Sequence, residues 1–133
     1  MEKIFVDTSA IFAIVNTAEA NSSIARKAWR NFLENADDLV SNNYVIVESI
    51  SLTQGRLGLS VVRNLLDNIL PFIQVIWVDE DQHSAIVQDV LSANRRNLSL
   101  VDCSAFATMR REEIGTVFTF DAHFREQGFR VIP

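Results

Sequence analysis

A single cysteine, Cys103, stands among 133 residues. One thiol excludes an intramolecular disulfide and a cysteine-built zinc cluster, and it fits a reducing compartment. No apolar run approaches the ~20 residues that a membrane-spanning helix needs, and the opening Met-Glu-Lys-Ile-Phe-Val-Asp shows no basic stretch followed by an apolar one. A cytoplasmic protein with no membrane partner is expected. Excess positive charge is also missing. The net charge of −5 excludes a generic basic nucleic-acid coat protein, although carboxylates that hold cations weigh on such a sum. Ten of the twelve basic residues are arginine, the residue suited to phosphate contact. Prolines are scarce (Pro71 and Pro133), and no repeat, linker or low-complexity run appears. With 48% hydrophobic residues, one domain over 1–133 can bury a sizeable core without staples.

What is present is an alternation of short apolar runs with helical stripes. Lys3–Val6 reads as a buried strand ending at Asp7, followed by a helix over Thr8–Val15. Ala25, Ala28, Trp29, Phe32, Leu33 and Ala36 recur near a period of 3.6 and predict an amphipathic helix between Ser22 and Ala36. Further along, the pattern predicts a strand near Asp38–Ser41, a helix over Asn43–Thr53 and a helix from Val61 that stops at Pro71. A strand over Phe72–Val78 follows, then helices over about Glu80–Asn94 and Val101–Glu113. The chain closes with a strand over Thr116–Phe120, a helical turn at Ala122–Glu126 and a strand over Phe129–Ile132. The glycines Gly55, Gly58, Gly115 and Gly128 are all expected where a helix stops or a strand begins. The implied fold is α/β, a three-layer α/β/α sandwich around a mainly parallel sheet. Ligands of such sheets bind beyond the carboxyl ends of the strands, which singles out Asp7 and Asp121.

Four acids invite a joint reading: Asp7, Glu48, Asp102 and Asp121. Each also has a bland one. Asp7 and Asp121 each precede a helical stretch and could act as N-caps. Ser99-Leu-Val-Asp102 fits a capping box loosely, because Glu or Gln is usual in the last position. Glu48 lies within V-I-V-E-S-I, either buried with a partner or on a solvent-facing stripe beside Ser49 and Ser51. Brought together without a counterion, four carboxylates would raise one another's pKa, and a divalent cation removes that conflict. Oxygen ligands alone favour Mg²⁺ or Mn²⁺ over zinc. Such ions support in-line phosphodiester hydrolysis without a side-chain nucleophile.

In order and approximate spacing, F-V-D-T-S-A, V-I-V-E-S-I, L-S-L-V-D-C-S-A-F-A and T-V-F-T-F-D-A-H-F resemble the PIN-domain pattern, and the similarity spans essentially the whole chain. The compact length and the T-F-D-x-H-F ending look most like VapC-type toxins of type II toxin–antitoxin systems. The resemblance implies a Mg²⁺-dependent endoribonuclease with Asp7, Glu48, Asp102 and Asp121 as metal ligands and catalytic acids. It also implies a small hydroxyl residue beside the acids (Thr8, Ser9 or Thr119), an RNA substrate, a cognate antitoxin and a homodimer. Arg95, Arg96, Arg110 and Arg111 are candidates for contact with RNA or an acidic partner, or are ordinary solvated helix ends. Phe12, Trp29 and Phe32 either line a groove for an antitoxin helix or pack in the core. His123 suggests a general base, but a histidine after a capped turn is more often structural, and Cys103 reads as packing. Two other functions compete. One is a PIN-fold module that binds RNA or protein without cutting. The other is an aspartate-based phosphotransferase, disfavoured because Ser9 stands where its D-x-D motif needs a second aspartate.

Overall fold

The structure is a computed structural model that describes residues 2–133. Five strands form one sheet in the order β3-β2-β1-β4-β5, with every neighbouring pair parallel. The strands are β1 (Lys3–Val6), β2 (Asp38–Asn42), β3 (Gln74–Ile76), β4 (Thr116–Phe118) and β5 (Arg130–Ile132). Between them run α1 (Thr8–Val15), α2 (Ser22–Glu34), α3 (Asn43–Leu57), α4 (Leu59–Asn68), α5 (Glu80–Ala93), α6 (Leu100–Arg111) and the short α7 (His123–Glu126). Successive strand residues point to opposite faces. Ile4, Phe5 and Val6 on β1 and Thr116, Val117 and Phe118 on β4 are all buried, so the helices cover both faces of the central strands. The α/β sandwich expected from the alternation is therefore the fold, and its sheet is wholly parallel.

The core is aromatic at its centre. Phe32 meets Phe118 edge-on at 5.1 Å between ring centroids, and Phe106 meets Phe124 in the same manner at 5.0 Å, a geometry favoured by the ring quadrupoles. Phe12, Trp29 and Phe32 are 6–8% exposed. They are core residues, and the alternative of a groove open to a partner helix is set aside for them.

Local chemistry explains where elements start and stop. Asn42, fully buried, caps α3 by accepting the Val45 N–H at 2.9 Å. Its amide nitrogen donates to Ser104 and Thr108 at 3.2 and 3.0 Å, which ties α3 to α6. Asp79 and Gln82 form a complete capping box on α5. The expectation that every glycine marks a boundary fails at Gly55, since α3 continues through it to Leu57. The stop comes at Gly58, whose φ of +89° is costly for any residue with a Cβ. Phe72 belongs to a 3-10 turn over Leu70–Phe72 and not to β3, because Pro71 suits the opening of a helical turn better than a strand ladder.

The connection order reverses between β1 and β4. The chain steps outward from β1 to β2 and β3, then returns to place β4 on the other side of β1. This is a topological switch point, and the crevice at its carboxyl edge is the usual ligand site of open α/β sheets. Asp7 and the segment Thr119–Asp121 stand at that edge.

Candidate metal centre

Asp7 follows β1 directly and is 5% exposed. It occupies the N-cap position of α1, yet its side chain makes no capping bond there. Its Oδ2 instead accepts two hydroxyl protons, from Ser9 at 2.9 Å and from Thr119 at 2.8 Å. Each hydroxyl has one proton, so the 3.0 Å contact between Ser9 and Thr119 carries none when both donate to Asp7. The two hydroxyl oxygens are held in turn by backbone donors: the Phe120 N–H reaches Ser9 Oγ at 2.9 Å, and the Asp121 N–H reaches Thr119 Oγ1 at 3.0 Å. These two amides are drawn into the site, which is why β4 ends at Phe118 and not at Phe120. Thr8 does not join this network. Its buried hydroxyl has no hydrogen-bond partner among the described residues.

The electrostatics are those of an anion short of a counterion. No basic side chain pairs with Asp7 among the described residues. Its pKa is raised from 3.8 to about 6: burial pushes it up, the Thr119 and Ser9 hydroxyls oppose part of that rise, and the nearby Asp102 adds to it. Asp102 is half-buried at the start of α6, and its pKa is also raised, first by burial and then by Asp121, with Ser99 and His123 opposing. The bland capping reading of Asp102 is realised: its Oδ2 accepts the Ser99 N–H at 3.0 Å while its own N–H donates to Ser99 Oγ at 3.0 Å. That role engages one carboxylate oxygen and leaves the other for a different task.

Asp121 does not cap α7, whose N-cap is Ala122. Its Oδ1 accepts the His123 N–H at 2.9 Å in an Asx turn that brings the imidazole beside the acids. Asp102, Asp121 and His123 each offer a ligand atom, and these atoms lie within 4.8 Å of one another. Neither Asp7 nor Glu48 belongs to that trio. Asp7 is coupled to it through Asp102. Glu48 is half-buried on α3, in a shallow, largely apolar groove that also includes Tyr44, His83, Leu100 and Val101. It thus stands beside the residues that precede Asp102. His83 contacts the Tyr44 hydroxyl through Nδ1 and remains outside the trio.

The arginines divide. Arg95 pairs with Glu126 at 3.1 Å. Arg110 donates to Gln127 at 2.9 Å and lies over the Phe129 ring at 5.2 Å. Both behave as ordinary surface residues of their helices, while Arg96 and Arg111 are exposed and make no ion pair among the described residues. His123, which the sequence offers as more often structural, stands with Asp102 and Asp121. Its signal was the D-A-H spacing, where an Asx turn folds residue i+2 back onto the acid.

The profile of the PIN domain matches residues 4–130. The chain belongs to the PIN-domain family. Among curated proteins, this PIN domain is 28% identical over 127 residues to the 23S rRNA-specific endonuclease VapC20 of Mycobacterium tuberculosis, covering 95% of each chain. Its structure superposes on the crystal structure of that protein, described as a Sarcin-Ricin loop cleaving toxin, with a TM-score of 0.83, 27% identity and 95% of each chain covered. The fold also matches VapBC2 of Rickettsia felis, solved with a DNA fragment from its promoter (TM-score 0.71, 10% identity, 98% of this chain and 97% of that one). A further fold match is FitAcB of Neisseria gonorrhoeae, with TM-score 0.67, 20% identity and coverage of 98% and 96%.

A divalent cation suits the donor set. Asp7 is a buried carboxylate without a cationic partner among the described residues, and two further carboxylates and an imidazole stand at the same sheet edge. The carboxylate oxygens of this set match Mg²⁺ or Mn²⁺.

Proposed function

We propose that this single PIN domain is a divalent-metal-dependent endoribonuclease that hydrolyses RNA phosphodiester bonds as the toxin of a type II toxin–antitoxin pair. The observation that carries the reading is the buried Asp7 at the switch point, which has no basic side chain paired to it among the described residues and is coupled electrostatically to Asp102, in turn coupled to Asp121. The relationship to VapC20, an rRNA endonuclease and toxin, supports RNA as the substrate and a small antitoxin as the partner. A homodimer and a cytoplasmic location complete the proposal. No helix among the described residues is long and apolar enough to cross a membrane.

Asp7, Asp102 and Asp121 would hold the ion, which is Mg²⁺ or Mn²⁺, with Glu48 entering from α3 as the fourth acid. When bound, the ion supplies Lewis acidity toward a phosphate oxygen and lowers the pKa of a coordinated water. The chain's own residues do the rest. Ser9 and Thr119 clamp one oxygen of Asp7 and so orient the other. Ser99 fixes the rotamer of Asp102 through the capping box. The Asx turn fixes Asp121. Arg96 and Arg111 are free to meet RNA phosphates.

The test is cleavage of structured RNA by the purified protein with Mg²⁺ or Mn²⁺, against parallel reactions in EDTA and with Asp7→Asn. Cleavage that depends on metal and is lost in the variant is the expected result. Cleavage that survives both would defeat the proposal, and metal-dependent RNA binding without cleavage would move the protein to the non-cutting class. A neighbouring gene for a DNA-binding antitoxin would support the toxin assignment.

A further inference from the structure

The Asp121–His123 pair is too close to be unassisted and poorly aligned for a hydrogen bond. His123 Nδ1 lies 2.9 Å from Asp121 Oδ1, with the two side chains 20% and 28% exposed. That nitrogen is nonetheless buried without a hydrogen-bond partner among the described residues, because the direction to Oδ1 does not suit an N–H donor. Oδ1 already accepts the His123 backbone N–H. A proton between Nδ1 and Oδ1 is thus badly placed. With no proton there, Nδ1 and Oδ1 sit at van der Waals contact or less with the nitrogen lone pair directed off the line between them, as it is when both atoms bind one cation beside that line.

The separation itself suits that cation. Adjacent ligands of an octahedral ion with ~2.1 Å bonds are ~3.0 Å apart, and the Nδ1–Oδ1 distance is 2.9 Å. Opposite ligands of such an ion are ~4.2 Å apart. The ligand atoms of Asp102, Asp121 and His123 all fall within 4.8 Å of one another, so small side-chain movements would close the set. The other ring nitrogen, Nε2, meets the side-chain amide of Asn97 at 3.3 Å. The oxygen and nitrogen of that amide are interchanged by a half-turn, so Asn97 can accept an Nε2–H. This is the outer partner that a metal-bound imidazole ordinarily has.

We propose that His123 is a nitrogen ligand of the divalent ion, held by Asn97, and that it makes the centre prefer Mn²⁺ to Mg²⁺. The proposal rests on the metal-dependent reading of the same site and extends it, since carboxylates alone would discriminate weakly between the two ions. Imidazole binds Mn²⁺ more readily than Mg²⁺, which keeps its waters and favours oxygen.

The test is electron spin-echo spectroscopy of the full chain loaded with Mn²⁺, with a parallel Mn²⁺ and Mg²⁺ titration by calorimetry. The expected spectrum shows nitrogen coupling of the imidazole type, retained in His83→Gln and absent in His123→Gln. His123→Gln should weaken Mn²⁺ binding about tenfold and Mg²⁺ binding less, and Asn97→Ala should shift Mn²⁺ binding in the same direction while retaining the coupling. Mn²⁺ bound tightly by the wild-type chain with no nitrogen coupling would overturn this inference and leave the metal-dependent nuclease standing. Coupling that vanishes in His83→Gln would overturn it too. Failure of the wild-type chain to bind either ion would overturn both. The chain has two histidines, so the wild-type and His83→Gln spectra together decide the matter even where His123→Gln folds poorly.

Discussion

Replacing Asp7 by Asn should make the metal-free protein more stable while removing its metal response. Asp7 is 5% exposed, and burial is the main cause of a pKa raised from 3.8 to about 6. A carboxyl group whose folded pKa lies above its unfolded one holds its proton more tightly in the folded state. Its favourable contribution is complete below pH ~4 and is lost as pH rises through about 6. Above that range the folded state carries a buried charge whose cost follows from the difference between the two pKa values. At roughly 1.4 kcal/mol per pH unit this is about 3 kcal/mol. Asn keeps the shape and one acceptor for Ser9 and Thr119, but its amide replaces the other oxygen. A lost or misdirected hydrogen bond offsets roughly 1 kcal/mol of the gain. Urea unfolding in EDTA at pH 8 should therefore show the variant more stable by about 1–3 kcal/mol, with the advantage fading toward pH 4.5. Added Mn²⁺ should reverse the order, because a ligand that binds the native state stabilises only the chain that can bind it. A variant that is destabilised equally at both pH values would refute the reasoning, since the buried charge would then cost nothing.

Other residues give separable outcomes. Glu48→Gln removes a half-buried charge that lies outside the trio, so metal-free stability should change by no more than about 0.5 kcal/mol. The thermal shift on adding Mn²⁺ should nonetheless shrink, and an unchanged shift would remove Glu48 from the site. Thr119→Val deletes the 2.8 Å hydroxyl bond to Asp7 and should weaken Mn²⁺ binding by about tenfold in a calorimetric titration. Asn42→Ala loses the α3 cap and both bonds to α6, and should cost about 3 kcal/mol in urea unfolding at any pH. Cys103 is 6% exposed, and its pKa is raised by burial and by Asp102 and Asp89. Its alkylation by iodoacetamide at pH 7.5 should be slow in the native protein and fast in urea.

The legible parts of this chain were those with local causes. The stripe from Ala25 to Phe32, the stop before Pro71 and the apolar run at Lys3–Val6 all follow from side-chain periodicity and backbone restriction, which act over a few residues. The acids at Asp7 and Asp121 were legible because strands are short and ligands gather at their carboxyl ends. Boundaries set by distant partners were less legible. β4 stops two residues early because the amides of Phe120 and Asp121 bond to Ser9 and Thr119, and no local pattern announces that. Phe12, Trp29 and Phe32 left two readings open, since an apolar stripe looks the same whether a core or a partner covers it.

Sequence alone determined the element order, the parallel α/β class and a set of acids with the pattern of a PIN domain. Tertiary structure decided what each acid does. It gave Asp7 two hydroxyl partners and no cationic one among the described residues, made Asp102 both a cap and a member of the cluster, and left Glu48 in a groove beside it. It also placed the Asp121–His123 pair, whose histidine reads from the sequence as structural, beside Asp102. The physical reason is that a carboxylate's protonation and ligand geometry depend on burial and on neighbours far along the chain. Those are known only once the strands are ordered and the crevice between β1 and β4 is formed.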